Sequence, residues 1–349
     1  MPITYVYPGR ANTKGKEQVA RQSRLCENVE RRLYAEQFYS KEDTCPWLVS
    51  IEMLAMQQST EQTFVVDLLT TLRCDRFSLH AWGNFWRRSW LLSCQTARAN
   101  PSLKRSWQRV TYLIALLSLI ILITNGLFAG AADTIRLFPG FVFCVVWQQS
   151  DLFWHLGLNR SVESGKLLPG LGLANTLTWL RGLGTSYLLG RLIGGLPISS
   201  GLALAIFMYG ITTDILDGPS ARRTGMQSKL GQIADAEADF CLYLSLTIIL
   251  LHNGALPLWI GIVMLLRFLL PLAAVLLSYL AFAHPVRFGS TLWGKSAGLA
   301  QCCYFLLLLA PSPFSTFTHF LSTPLLSVTI CLLVAAPVAQ VVANITPMP

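Results

Sequence analysis

The chain has 349 residues, of which 53% are hydrophobic and 13% charged, and its mean hydropathy is +0.48. A composition this apolar excludes an ordinary soluble globular protein and predicts a membrane protein with several spans. The net charge of +9 is concentrated before residue 110 and in a few loops, which indicates membrane topology and attraction to a lipid surface rather than nucleic-acid binding.

Residues 1–109 are predicted to form a cytosolic and juxtamembrane helical region. Within 14–40, apolar residues recur at roughly helical spacing among mixed charges, which predicts a soluble amphipathic helix. A second helix is expected over 43–72.

Three tryptophans lie four residues apart in the segment that follows. Trp82, Trp86 and Trp90 have Arg87 and Arg88 beside them. Such a stripe suits a helix that lies in the headgroup region of a membrane. It suits a stripe buried in a soluble core almost as well, so both interpretations stay open.

Two apolar segments, 110–131 and 138–158, are predicted to form additional transmembrane or membrane-associated helices. The first is long enough to cross a bilayer. The second contains polar residues at 148–151, so it either packs them against protein or is partly interfacial. Six further apolar segments follow, separated by Gly, Pro, Ser and Asn breaks: 175–193, 199–217, 232–252, 256–282, 297–311 and 322–343.

The distribution of basic residues predicts the orientation of these spans. Lys104, Arg105 and Arg109 precede the first span and would hold the N-terminal region in the cytosol. If the spans alternate from there, the loops that carry Arg222 and Lys295 fall on the cytosolic side, and the opposite loops contain no Lys or Arg. The predicted fold is therefore an all-α integral membrane protein.

Four carboxylates flank the turn between the second and third of the six segments. Asp214 and Asp217 are three residues apart, and Asp235 and Asp239 are four apart, so each pair shares one face of its helix. A glycine, a proline and a serine at 218–220 are predicted to mark the break between the two helices. Carboxylates that converge at a membrane boundary repel one another unless they take up protons or bind cations, and oxygen ligands favour Mg²⁺, Mn²⁺ or Ca²⁺.

This stretch follows the pattern D-x2-D-G-x2-A-R-x8-G-x3-D-x3-D, which resembles the complete signature of the CDP-alcohol phosphatidyltransferase family. The fixed positions are filled by Asp214, Asp217, Gly218, Ala221, Arg222, Gly231, Asp235 and Asp239. The resemblance covers about residues 170–345 and implies a six-helix catalytic core over 170–349. Residues 1–109 and the two additional helices in 110–169 lie outside it.

The resemblance implies a phospholipid-synthesis enzyme. Such an enzyme transfers a phosphatidyl group from CDP-diacylglycerol, or a related CDP-lipid, to a hydroxyl acceptor and releases CMP. A pyrophosphate needs its charge neutralised before an alcohol can attack it, so we expect two Mg²⁺ or Mn²⁺ ions, held by Asp214, Asp217, Asp235 and Asp239. By resemblance, Asp239 is also the catalytic base that takes the acceptor's proton.

Several residues are assigned to binding of the CDP-lipid. Gly218 and Gly231 let the backbone approach the nucleotide, and Arg222 can pair with a phosphate. In the N-x-x-T-x-x-R of the first core helix, Asn175 and Arg181 are candidates for the nucleotide or its phosphates, with a helix cap and a snorkelling arginine as alternative roles. The full predicted set is Asp214, Gly218, Ala221, Arg222, Gly231, Asn175 and Arg181.

The acceptor is less well defined by the sequence. Arg267 interrupts an apolar run, where an unpaired arginine is costly, so it either binds the acceptor or forms a structural ion pair. Residues 294–301 are similar to the G-K-x5-Q of family members that make phosphatidylglycerol phosphate, although 296–298 lack the additional Lys-Thr usual there. With Arg267, Arg287 and Lys295 as acceptor-binding residues, glycerol 3-phosphate ranks first, and inositol phosphate, serine or another lipid alcohol stays open.

Functions of other classes also stay open. A transporter could use the buried carboxylates, and a silent membrane scaffold could carry the basic N-terminal region, but neither requires the glycines, alanine and arginine of the signature. The nine cysteines contain no C-x-x-C pair, so a zinc site is not expected. We expect a homodimer in a bacterial inner membrane with its active site facing the cytosol, and no nucleic-acid partner.

Overall fold

The computed structural model describes Leu72 and residues 77–277, 292–311 and 315–345. Within these ranges the chain is α-helical, apart from short connections with two isolated β-bridges. The prediction of an all-α protein is thereby confirmed, whereas the helix predicted over 14–40, and that over 43–72 apart from Leu72, lie outside the described residues. The helices are α1 (Leu79–Ala99), α2 (Pro101–Phe128), α3 (Ala131–Trp154), α4 (Leu173–Ile193), α5 (Ser200–Thr224), α6 (Lys229–His252), α7 (Leu258–Leu277), α8 (Leu292–Leu309) and α9 (Ser315–Ile345).

Four of the described helices contain stretches long and apolar enough to cross a membrane. They are Pro101–Phe128, Ser200–Thr224, Leu292–Leu309 and Phe320–Ala339. A shorter apolar stretch, Leu258–Leu270, lies in α7. These helices are consistent with a membrane protein, and the arrangement of eight spans around a six-helix core stays a prediction.

The break between the two aspartate-bearing helices lies later than the sequence predicted. Helix α5 continues through 218–220 and includes Pro219, and the chain turns only at Gly225, whose φ is +63°. A proline inside a helix removes one backbone hydrogen bond, which this helix tolerates. The left-handed turn at the helix end needs a positive φ, which glycine adopts without strain.

Helix α4 packs against α2, α3, α5 and α6. Small residues allow this close packing: a Cβ added to Gly190 would lie 2.8 Å from the Cβ of Phe141 on α3. Because neighbours enclose α4 on several sides, its polar side chains are buried as well, among them Asn175, Arg181 and Arg191. The helix that carries the predicted N-x-x-T-x-x-R motif is therefore central to the packing.

Two apolar cores meet at α4. One joins α4 to α5 through α9, with Phe207 and Phe305 in contact at its centre. The other joins α2, α3, α4 and α6 through residues such as Ile114 and Leu183. Helices α2 and α3, which the sequence placed outside the catalytic core, thus share a hydrophobic core with it.

The tryptophan stripe lies on α1. The chain divides between Ser89 and Trp90 into two compact units. In the first, Trp82 and Trp86 pack edge to face with Phe85. In the second, which contains the candidate site described below, Trp90 contacts the aromatic ring of Trp154. Both interpretations of the stripe stay predictions.

Candidate active site

The predicted carboxylates converge where α5 and α6 approach α4. Carboxylate oxygens of Asp214, Asp217 and Asp235 lie within 4.8 Å of one another. Asp217 is the most enclosed of the four aspartates, with 12% of its side chain exposed, whereas Asp214 is 50% exposed. Asp239 lies one helical turn after Asp235 and joins the same group of charges, as the contacts of Arg181 show. The spacing along each helix thus brings the four carboxylates together.

The guanidinium of Arg181 lies among all four carboxylates. Its Nη1 donates to Oδ1 of Asp214 at 3.0 Å and to Oδ1 of Asp239 at 2.8 Å. Its Nη2 donates to Asp235 and lies 3.5 Å from Oδ2 of Asp217. Only 1% of the Arg181 side chain is exposed, so the carboxylates replace the water that its charge has lost. Arg181, predicted to bind the nucleotide or its phosphates, therefore pairs with the aspartates in this structure.

One guanidinium does not balance four carboxylates. If all are ionised, the five groups carry three net negative charges, and like charges at this range repel strongly in a partly buried site. Arg267 is close enough to Asp239 for their charges to interact, but even with this second cation the carboxylates remain in excess. The clustered oxygens of Asp214, Asp217 and Asp235 are hard donors of the kind that Mg²⁺ and Mn²⁺ prefer. The donor set and the excess charge therefore fit divalent cations.

A cavity of about 200 Å³ opens beside the carboxylates, between α4, the end of α5 and the start of α6. Asp217 and Asp235 belong to both the cavity wall and the carboxylate cluster, whereas Arg181 and Asp214 are not among the lining residues. The wall consists of Ala174, Asn175, Thr178, Asp217, Gly218, Ala221, Arg222, Met226, Gln227, Ser228, Gly231, Gln232 and Asp235. Most of the residues predicted to bind the CDP-lipid thus surround one space.

The glycine at 231 is explained by a close approach inside this wall. A Cβ at Gly231 would lie 2.4 Å from Oδ1 of Asn175, so any side chain would displace the asparagine. Asn175 is 4% exposed, and its Nδ2 donates to Oγ of Ser228 at 3.1 Å. Ser228 also caps α6 by accepting from the backbone N–H of Gly231 at 3.0 Å. Arg222 also lines the cavity and is exposed, so a phosphate could reach it.

The predicted acceptor residues lie in different environments. Arg267 donates from Nη1 to Oε1 of Gln301 at 3.2 Å, and its guanidinium lies over the ring of Phe268. Lys295 is exposed in the first turn of α8, and Arg287 lies outside the described residues. Arg267 and the Gln301 of the predicted G-K-x5-Q are therefore in contact on the Asp239 side of the cluster.

Sequence reasoning left several wall residues out of the site. Thr178 donates to Oδ2 of Asp217 at 3.3 Å, and it could have been included because it shares a helix face with Asn175 and Arg181. Ser228 could have been recognised as a helix cap three residues before Gly231. For Gln227 and Gln232 the sequence offers no comparable signal.

Comparison with known proteins agrees with the signature. Residues 171–341 match the model of the CDP-alcohol phosphatidyltransferase family. The chain is 40% identical over 73 residues to "Cardiolipin synthase (CMP-forming)" of Streptomyces coelicolor, which covers 21% of this chain and 34% of that protein. The match thus spans about a third of the relative's length. No solved structure matches the chain.

The matched region contains α4, both aspartate-bearing helices and all of the residues that line the cavity. Its eight signature residues stand at their expected spacings. Residues 171–341 therefore form a CDP-alcohol phosphatidyltransferase domain.

Proposed function

We propose that this protein is a membrane enzyme of phospholipid synthesis that transfers a phosphatidyl group from CDP-diacylglycerol, or a related CDP-lipid, to a hydroxyl acceptor with release of CMP. The observation that carries the proposal is the sharing of Asp217 and Asp235 between the cavity and the carboxylate cluster. A cytidine nucleotide in the cavity would have its phosphates next to the carboxylates. The family membership of residues 171–341 supports the same chemistry.

Asp214, Asp217 and Asp235 would hold the divalent cations, with Asp239 as the fourth predicted ligand. When bound, Mg²⁺ or Mn²⁺ would neutralise the pyrophosphate and stabilise the departing CMP. Arg222 would pair with a phosphate at the mouth of the cavity. Asn175 and Ser228, which are hydrogen-bonded to each other, would shape another part of the wall.

Asp239 is the proposed general base. The acceptor's hydroxyl oxygen forms a bond to the lipid-side phosphorus, and the bond from that phosphorus to the bridging oxygen breaks. The bonding electrons leave with CMP, and the hydroxyl proton passes to the Asp239 carboxylate. Arg181 orients that carboxylate through its 2.8 Å hydrogen bond to Oδ1.

For the acceptor, glycerol 3-phosphate remains our first proposal. Arg267 interacts electrostatically with Asp239, so a phosphate on the acceptor would find a cation beside the proposed base. A lipid alcohol is the second candidate, because the Streptomyces relative is named a CMP-forming cardiolipin synthase. A phosphate in that lipid's head group could use the same arginine.

Purified protein and labelled CDP-diacylglycerol would test the transfer and separate the acceptors. CMP release should require an acceptor, and glycerol 3-phosphate should support more release than phosphatidylglycerol, inositol phosphate or serine. Greatest release with phosphatidylglycerol would replace the first acceptor by the second and leave the transferase standing. No CMP release with any acceptor would contradict the proposed function itself.

We also propose that the active site faces the cytosol of a bacterial inner membrane. The basic residues at the start of α2 and in the last turn of α5 support this orientation. Labelling of a cysteine placed at exposed Arg223 should succeed only from the cytosolic side of sealed vesicles. The homodimer stays a prediction.

A further inference from the structure

The segment that leads into α4 folds over the turn between the two aspartate-bearing helices. We call residues 159–170 the strap; it follows a 3₁₀ turn, Leu156–Leu158, and ends just before the family domain begins at residue 171. The backbone N–H of Lys229 donates to the carbonyl of Arg160 at 3.0 Å, and the N–H of Val162 donates to the carbonyl of Gln227 at 3.1 Å. The strap thus holds residues 227–229 from outside the domain, and two of these line the cavity.

One buried side chain joins the strap to the cavity wall. Asn159 is 0% exposed, and its Nδ2 donates to the carbonyl of Gly170 at 3.0 Å and to that of Leu168 at 3.4 Å. Its Oδ1 accepts from Nδ2 of Asn175 at 3.4 Å. Because Asn175 Nδ2 also donates to Ser228, Asn159 is the first member of a chain of hydrogen bonds that reaches the cap of α6.

The carboxamide of Asn175 is held on both sides. Its nitrogen donates to Asn159 and Ser228. Its oxygen lies so close to Gly231 that a Cβ there would be only 2.4 Å away. If Asn159 is removed, Nδ2 loses one acceptor, and the group gains freedom to rotate toward Gly231 or into the cavity. The shape of the wall at Asn175 therefore depends on a residue that lies twelve positions before the family domain.

We infer that Asn159 is a positioning residue for the CDP-lipid, which acts through Asn175 and extends the nucleotide site to this one side chain of the strap. The inference rests on the proposed function and extends the site beyond the family domain. An asparagine is needed because it donates to two carbonyls and accepts from Asn175 at once. An aspartate at this position keeps an oxygen that can accept from Asn175 but loses the N–H groups that donate to the two carbonyls. Its negative charge would then face the carbonyl oxygens of Leu168 and Gly170.

The test compares Asn159→Ala and Asn159→Asp with the wild type in steady-state CMP release. We expect KM for CDP-diacylglycerol to rise about tenfold, the size expected for loss of an ordered hydrogen bond, with kcat and the acceptor KM within about twofold of wild type. Glu163→Gln, at an exposed position of the same strap, is the matched control and should change neither constant.

A double-mutant cycle separates positioning from a general structural effect. If Asn159 acts through Asn175, Asn159→Ala should have little further effect on KM in an Asn175→Ala background, whereas independent structural effects would multiply. An unchanged KM in both Asn159 variants, or multiplying effects in the cycle, would overturn the inference. Loss of the cooperative unfolding transition in both variants would also overturn it, because Asn159 would then stabilise the whole fold. Failure of the wild type to release CMP would instead overturn the proposed function, and this inference with it.

Discussion

Helix α4 buries two arginines in different ways, one in its middle and one in its last turn. Arg181 and Arg191 are ten residues apart, roughly 15 Å along the helix, and both are largely shielded from solvent. Arg181 lies among four carboxylates, which are at positions 214, 217, 235 and 239. Arg191 has neutral partners among the described residues: its Nη2 donates to the carbonyl of Pro197 at 2.8 Å, and its Nη1 donates to the hydroxyl of Tyr187 at 3.1 Å.

A buried arginine alone therefore does not mark a functional site. Near the C-terminal end of α4, the helix dipole and oriented oxygens stabilise the cation of Arg191. At Arg181 four carboxylates surround one cation, so net negative charge remains that can bind other cations. The middle of α4, where negative charge is in excess, can assemble a metal and a nucleotide, whereas Arg191 in the last turn holds helices together.

Removal of divalent cations should have the largest effect. If Arg181 cannot neutralise the carboxylates alone, excess chelator should abolish CMP release, and added Mg²⁺ or Mn²⁺ should restore it. Steady-state CMP release before and after metal addition measures this. Full activity in excess chelator would mean that Arg181 suffices as the counter-charge.

Asp239→Asn should have the next largest effect. It keeps the size of the side chain and a hydrogen-bonding oxygen for Arg181 but removes the proposed base, and general bases contribute roughly 10²–10⁴-fold to rate. We expect kcat to fall by at least about 10²-fold with little change in CDP-lipid binding. Asp133→Asn, in the first turn of α3, is the control. Near-normal turnover in Asp239→Asn would remove this residue from the base role.

Substitution of the two arginines tests the comparison directly. In chelator, Arg181→Gln leaves the carboxylates without their buried cation, and we expect the free energy of unfolding to fall by about 2–4 kcal/mol, somewhat below a fully buried pair because the aspartates are partly exposed. Arg191→Gln removes hydrogen bonds to neutral groups and should cost about 1–2 kcal/mol. Thermal unfolding in detergent gives both values.

The dependence on metal should differ between these two variants. Mg²⁺ should recover much of the stability lost in Arg181→Gln, because a divalent cation can replace the missing charge, and none of that lost in Arg191→Gln. If Mg²⁺ changed the stability of both variants equally, the environments of Arg181 and Arg191 would not differ in their capacity to bind a cation.

The sequence predicted the aspartate geometry because it depends only on spacing within two helices. Asp214 and Asp217 share a face wherever α5 lies, and so do Asp235 and Asp239 on α6. The pairing of Arg181 was missed because its partners are 33 to 58 residues away, and helical period does not tell which helices pack together. The turn was placed too early because Pro219 resembles a helix end, although one missing N–H does not terminate a helix that Gly225 ends later.

The smallest effect is expected on the acceptor side, where Arg267 and Lys295 differ in their exposure to solvent. Arg267 is partly buried, bonded to Gln301 and close enough to Asp239 for electrostatic interaction, whereas Lys295 is exposed. Arg267→Ala should raise KM for the acceptor at least about tenfold, on the order of 1.4 kcal/mol, with little change for the CDP-lipid. The sequence assigns Lys295 to acceptor binding as well, but its exposure favours a smaller effect for Lys295→Ala because solvent screens an exposed charge. If glycerol 3-phosphate is the acceptor, the Arg267 effect should disappear for a neutral alcohol, since that arginine would then have no phosphate to bind. A wild-type acceptor KM in Arg267→Ala would assign this arginine to the packing of α7 against α8, and the glycerol 3-phosphate proposal would lose its main support.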